Sequence, residues 1–122
     1  MAPRHLLLGA VPQRRLICAL VSAMVESAVQ EWERAYRSFT DIADPTVVER
    51  LGRQLEAIIG ELRRRVGGTF TVGKLADEYA RADVWVRETL SEQGTRDWPR
   101  TLALVEGAAF HLYARGAVDY QP

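Results

Sequence analysis

Residues 44–68 read DPTVVERLGRQLEAIIGELRRRVGG, and the spacing of their apolar positions decides the fold class. Val48, Leu51, Leu55, Ile58, Leu62 and Val66 follow one another at steps of three or four, which aligns them on one face of an α-helix. Asp44 stands at the N-cap, where its carboxylate accepts from free backbone N–H groups, and Pro45 follows at a position that loses no hydrogen bond. Gly67 and Gly68 supply the left-handed residue that stops a helix. Arg63, Arg64 and Arg65 lie in the last turn, where the macrodipole favours cations. The stretch therefore predicts a helix over 45–66 whose apolar stripe must meet a second surface.

The chain upstream offers that surface. Val25, Val29, Trp32, Tyr36 and Phe39 alternate steps of four and three, which predicts a first helix over about 14–39. Residues 38–43 break the period, so the two helices are expected to fold back as an antiparallel hairpin. Gly60 falls inside the second helix, where glycine costs about 1 kcal/mol relative to alanine; close packing against Trp32 or another bulky ring is the expected reason.

Residues 1–23 support three readings. The apolar run after Arg14 and Arg15 continues the first helix, or forms a secretory signal cleaved after Ala23, or is an over-extended frame ahead of a true start at Met24. Its uncharged part is about ten residues, well under the ~20 of a membrane-spanning helix, so no membrane span is expected. Residues 24–122 are expected to form one helical domain, as suits 122 residues with 48% apolar content.

Two short helices are predicted after Gly68. The first, 72–81, is capped by Thr71, with Phe70 placed to reach Leu75 as a hydrophobic staple. The second, 84–91, is capped by Asp83 after a break at Ala82. Acid-first pairs four apart, Asp77 with Arg81 and Asp83 with Arg87, mark solvated faces. Residues 91–96, SEQGTR, read as a loop. A last helix, 98–115, is capped by Asp97, and Leu102, Val105, Ala109 and Leu112 form its stripe. Leu104, Ala108, Phe110 and Tyr113 make a second face apolar as well, which places this helix centrally or at an interface. The fold class is thus all-α: a hairpin, two short helices and a C-terminal helix.

Composition narrows the function. Sixteen basic and sixteen acidic residues cancel, so no global field points to nucleic acid. Fifteen of the sixteen bases are arginine, which reads first as the codon bias of a GC-rich genome. One cysteine, Cys18, rules out an internal disulfide and suits a reducing compartment. The expected location is the cytoplasm, the alternative being export with cleavage after Ala23.

The residues of catalysis are missing. His5 and His111 are the two histidines; neither has a neighbour with nucleophile or metal-pair spacing, so no enzyme activity, metal or cofactor is expected. Residues 68–74, GTFTVGK, match a phosphate-binding loop as far as the lysine. Leu75 then stands where a magnesium-binding hydroxyl is needed, and a helix precedes where a strand is required.

Residues 71–90 resemble the helix-turn-helix of bacterial regulators, with Leu75, Ala76, Ala80 and Val86 at the inward-facing positions. They depart from it at the turn, where Ala80 replaces the usual glycine and Arg81 an apolar residue. The resemblance implies a DNA-binding transcriptional regulator with Arg81 and Arg87 as its contacts. A recognition helix here would also present Asp83 and Glu88, which repel phosphates.

The favoured expectation is a small interaction or regulatory domain that binds a protein partner or a second copy of itself. A first helix beginning near residue 14 would overhang its partners and carry Leu16 and Leu20 into solvent. With Trp85, Trp98 and Tyr120, placed near predicted segment ends, these form the candidate contact surface, since aromatic anchors are enriched at interfaces.

Overall fold

A computed structural model describes residues 22–90 and 98–120, with the side chains of the last helix from residue 101 onward. The described residues form four helices and no strand: α1 (22–40), α2 (Pro45–Val66), α3 (Val72–Leu90) and α4 (Trp98–Ala114). The expected extension of α1 over 14–21, the loop 91–96 and the Asp97 cap lie outside the described residues.

The helix α2 is the one its sequence dictates. The Asp44 carboxylate accepts from the Thr46 N–H at 2.9 Å, and Gly67 closes the other end at φ +82°, its N–H donating to the Arg63 carbonyl at 3.1 Å. Leu51, Leu55, Ile58, Leu62 and Val66 are buried, with Val48 at the half-buried margin. Gln54 is also buried, and neither its amide nitrogen nor its oxygen has a hydrogen-bond partner among the described residues.

The last helix is the hub. Val105, Ala108, Ala109 and Phe110 are completely buried, and α4 packs against both α2 and α3. It also receives α1: Trp32 lies 5.5 Å from Phe110 between ring centroids, and Tyr36 stacks on His111 at 4.7 Å. Tyr79 of α3 completes the centre, edge-on to Trp32 at 5.5 Å and to Phe110 at 5.0 Å. The apolarity of two faces of α4, legible in its sequence, thus answers to three neighbours.

The close approach expected at Gly60 occurs at Gly107 instead. A Cβ at Gly60 would meet nothing within 4 Å, whereas one at Gly107 would fall 2.5 Å from the Ala35 Cβ and 3.8 Å from the Trp32 Cα. The Trp32 ring needs α1 pressed onto α4, and only a residue without a side chain permits that spacing.

The two short helices expected over 72–81 and 84–91 are one. Residues from Val72 to Leu90 form a single helix with no break at Ala82 or Asp83. Leu75, Ala82, Val86 and Leu90 are completely buried, and with half-buried Tyr79 they keep one stripe across the expected break. Asp83 does not cap; its carboxylate meets Arg87 one turn on, at 3.4 Å. The N-terminal cap is as expected, the Lys74 N–H donating to Thr71 Oγ1 at 3.1 Å.

Beyond α4 the chain is tied back to the start of α3. The Val118 N–H donates to the Phe70 carbonyl at 2.9 Å, and Asp119 accepts from the Val72 N–H at 2.8 Å. Phe70 stacks on Tyr113 at 4.9 Å, and the Tyr113 hydroxyl donates to the Gly67 carbonyl at 2.7 Å.

Candidate interaction surface

The sequence-expected site residues do not come together. Leu16, Leu20 and the side chain of Trp98 lie outside the described residues. Trp85 is not an exposed anchor: it is 4% exposed, and its indole N–H donates to Glu78 at 3.0 Å. Arg65 of α2 covers its ring at 4.9 Å while pairing with Glu61 at 2.9 Å. Glu78 further accepts from Arg81 at 3.1 Å. Trp85 therefore fastens α3 to α2, because it sits mid-helix and not at the segment end its sequence context suggested. Tyr120 is half-buried and packs against the core.

The continuity of α3 also removes the turn on which the helix-turn-helix resemblance rests. Arg81 and Arg87 are exposed, but each is held by acids of its own helix. Arg81 meets Asp77 at 3.2 Å and Glu78 at 3.1 Å, and Arg87 meets Asp83. The phosphate-loop pattern fares no better, since Leu75 at its magnesium position is completely buried. His111 is stacked on Tyr36 and lies 3.4 Å from an Arg115 guanidinium nitrogen. Burial first, and then Arg115, push its pKa below the usual value, which favours the neutral ring.

What the structure does present is a groove between the first half of α1 and the first half of α3, about 390 Å³ in volume. One wall carries Met24, Val25 and Ala28; the other carries Ala76, Tyr79 and Ala80. Its origin is a gradient of side-chain size. Trp32 and Tyr79 hold α1 and α3 apart where the rings meet, and small residues farther along cannot fill the gap. Met24 at its edge is 67% exposed, as are Val84 at 67% and Val118 at 69%, but of the three it is Met24 that borders this apolar groove. Among the described residues, the charged ones in its lining are two acids, Glu31 and Asp77.

Two other hollows are less suited to an apolar partner. That beside Trp85 is lined by Arg65, Glu78, Arg81 and Glu88, and that beside Tyr113 is a shallow seam between the ends of α2 and α4. Two residues of the groove, Tyr79 and Glu31, interact electrostatically with a buried acid. Glu106 on α4 is 8% exposed, and its pKa is raised to about 7, first by burial and then by Asp83 and Glu31, against the opposing charge of Arg87. Tyr79, hydrogen-bonded to Glu31, is pushed far above the ordinary phenol range by burial and then by the Glu31 and Glu106 carboxylates.

Among the described residues, no helix is long and apolar enough to cross a membrane, and no group of three or more ligand-type side chains could hold a metal ion. Comparisons with protein-family models, curated proteins and solved structures return no match to this chain.

Proposed function

We propose that this chain is a helical interaction domain that self-associates through the groove between α1 and α3. The observation that carries this reading is Met24, 67% exposed at the lip of an apolar groove. Covering one such side chain is worth about 1.5–3 kcal/mol, so a pair of grooves in a symmetric dimer supplies a substantial part of a micromolar affinity. The zero net charge of the chain suits association of like copies, which a strong charge would oppose.

The test is sedimentation velocity of the nuclease-treated full chain over a hundredfold range of concentration. A rise from monomer to dimer mass is expected. Monomer throughout would overturn the reading, and salt-sensitive retention of DNA before nuclease treatment would transfer it to nucleic-acid binding.

A further inference from the structure

The groove has both a shape and a sign, and one stretch of this chain matches both. Its walls are apolar, and among the described residues its charged lining side chains, Glu31 and Asp77, are acids. Residues 14–21 read RRLICALV: two cations followed by six uncharged residues, with Leu16 and Leu20 four apart and so on one side if the stretch is helical. Eight helical residues measure about 12 Å at 1.5 Å per residue, and the lining stretch of α1 between positions 24 and 31 measures about 10 Å. Length, polarity and charge agree.

The connection decides which copy supplies the segment. Residues 14–21 lead straight into α1, whose first described turns are one wall of the groove. To enter the groove of its own copy, the chain would have to reverse between Leu20 and Met24. Of the common turn formers only Ser22 lies between positions 14 and 24, and it is already part of α1. A second copy faces no such obstacle.

We propose that residues 14–21 of one copy occupy the α1–α3 groove of a second copy, Leu16 and Leu20 against its apolar walls and Arg14 or Arg15 beside Glu31 or Asp77. This rests on reading the groove as the self-association surface and names its occupant. If the exchange is mutual, the dimer is two-fold symmetric and each copy both gives and receives a segment. Truncation or export processing anywhere between residue 14 and Ala23 would then set the association state.

Cys18 lies inside the segment and serves as a reporter. In the full-length chain, Ala80→Cys places a thiol on the exposed edge of the groove, and Ser27→Cys places one on the opposite wall. Mild oxidation should give a covalent dimer from at least one of them, with peptide mapping placing the bond between Cys18 and the introduced cysteine. Wild type, and the same variants carrying Cys18→Ser, should not form that dimer. In the unmodified background, Leu16→Asp with Leu20→Asp should weaken the dimer about tenfold or more while leaving the helical circular dichroism signal unchanged.

An intrachain bond to the introduced cysteine would place the segment in its own groove and overturn the exchange. A dimer that shows neither cross-link and ignores the leucine substitutions would remove the segment as occupant and leave self-association standing. Monomer at every concentration would overturn both.

Discussion

Replacing Gly107 by alanine should destabilise the protein, although alanine is the better helix former by about 1 kcal/mol. The new Cβ would stand 2.5 Å from the Ala35 Cβ, against the roughly 3.5–4.0 Å at which two carbons rest. Neither carbon belongs to a side chain that can swing aside. Both are fixed to helix backbones, and the Glu31 carbonyl and Trp32 Cα lie just behind at 3.7 and 3.8 Å. Relief therefore requires α1 and α4 to separate by about 1 Å, at the level where Trp32 and Phe110 are completely buried. Overpacking of this kind costs about 1–3 kcal/mol, and the helix gain of about 1 kcal/mol offsets part of it, so the net loss should be up to about 2 kcal/mol. Urea unfolding followed at 222 nm would measure it. The decisive comparison is a double-mutant cycle with Ala35→Gly, which removes the opposing carbon. In that background Gly107→Ala should become stabilising, and Gly60→Ala, where a Cβ meets nothing within 4 Å, should stabilise by about 0.5–1 kcal/mol in either. If Gly107→Ala stabilised the wild-type chain, or behaved alike in both backgrounds, the α1–α4 contact described here would be wrong.

Three further substitutions probe other parts of the structure. The pKa of Glu106 is raised from 4.5 to about 7, so the folded protein holds a proton that the unfolded chain releases. Its contribution is complete below about pH 4.5 and is lost as pH rises through 7, on the order of 3 kcal/mol. Glu106→Gln should flatten stability across that window and raise it at pH 8; an unchanged pH profile would contradict the assignment. Gln54 is buried with neither amide atom paired among the described residues, so Gln54→Met should stabilise by about 1 kcal/mol or more in thermal unfolding, and a loss of that size would count against the burial described. Tyr113→Phe removes the hydrogen bond to the Gly67 carbonyl and should cost about 1 kcal/mol, whereas a neutral outcome in urea unfolding would mean that this link is not formed in solution.

Much of the fold was legible because its signals are local. The α2 stripe, the Asp44 cap, the Gly67 stop and the Thr71 cap each depend on residues within one or two turns, and each stands as read. The break expected at Ala82 and Asp83 illustrates the ambiguity of aspartate, which favours an N-cap but also sits mid-helix when a cation follows four residues later, as Arg87 does. The continuing stripe of Leu75, Tyr79, Ala82, Val86 and Leu90 was the stronger signal. The long-range features had no local sign. Asp119 reaches back to cap Val72 across forty-seven positions, and the choice between Gly60 and Gly107 for the close contact was set by which helix Trp32 faces. The run Gly107, Ala108, Ala109 in an apolar helix was the available hint. The groove escaped notice because it arises from a mismatch in size between two helices not adjacent in sequence, and the exposure of Met24 appears only when they are assembled.

Hydroxyl-radical footprinting of Met24 in dilute and concentrated full-length protein tests the central claim at the residue that carries it. Self-association through the α1–α3 groove requires the oxidation rate of Met24, relative to free methionine, to fall in step with the formation of dimer. A rate independent of concentration, whether the protein stays monomeric or dimerises, would show that this groove is not the surface through which the chain associates.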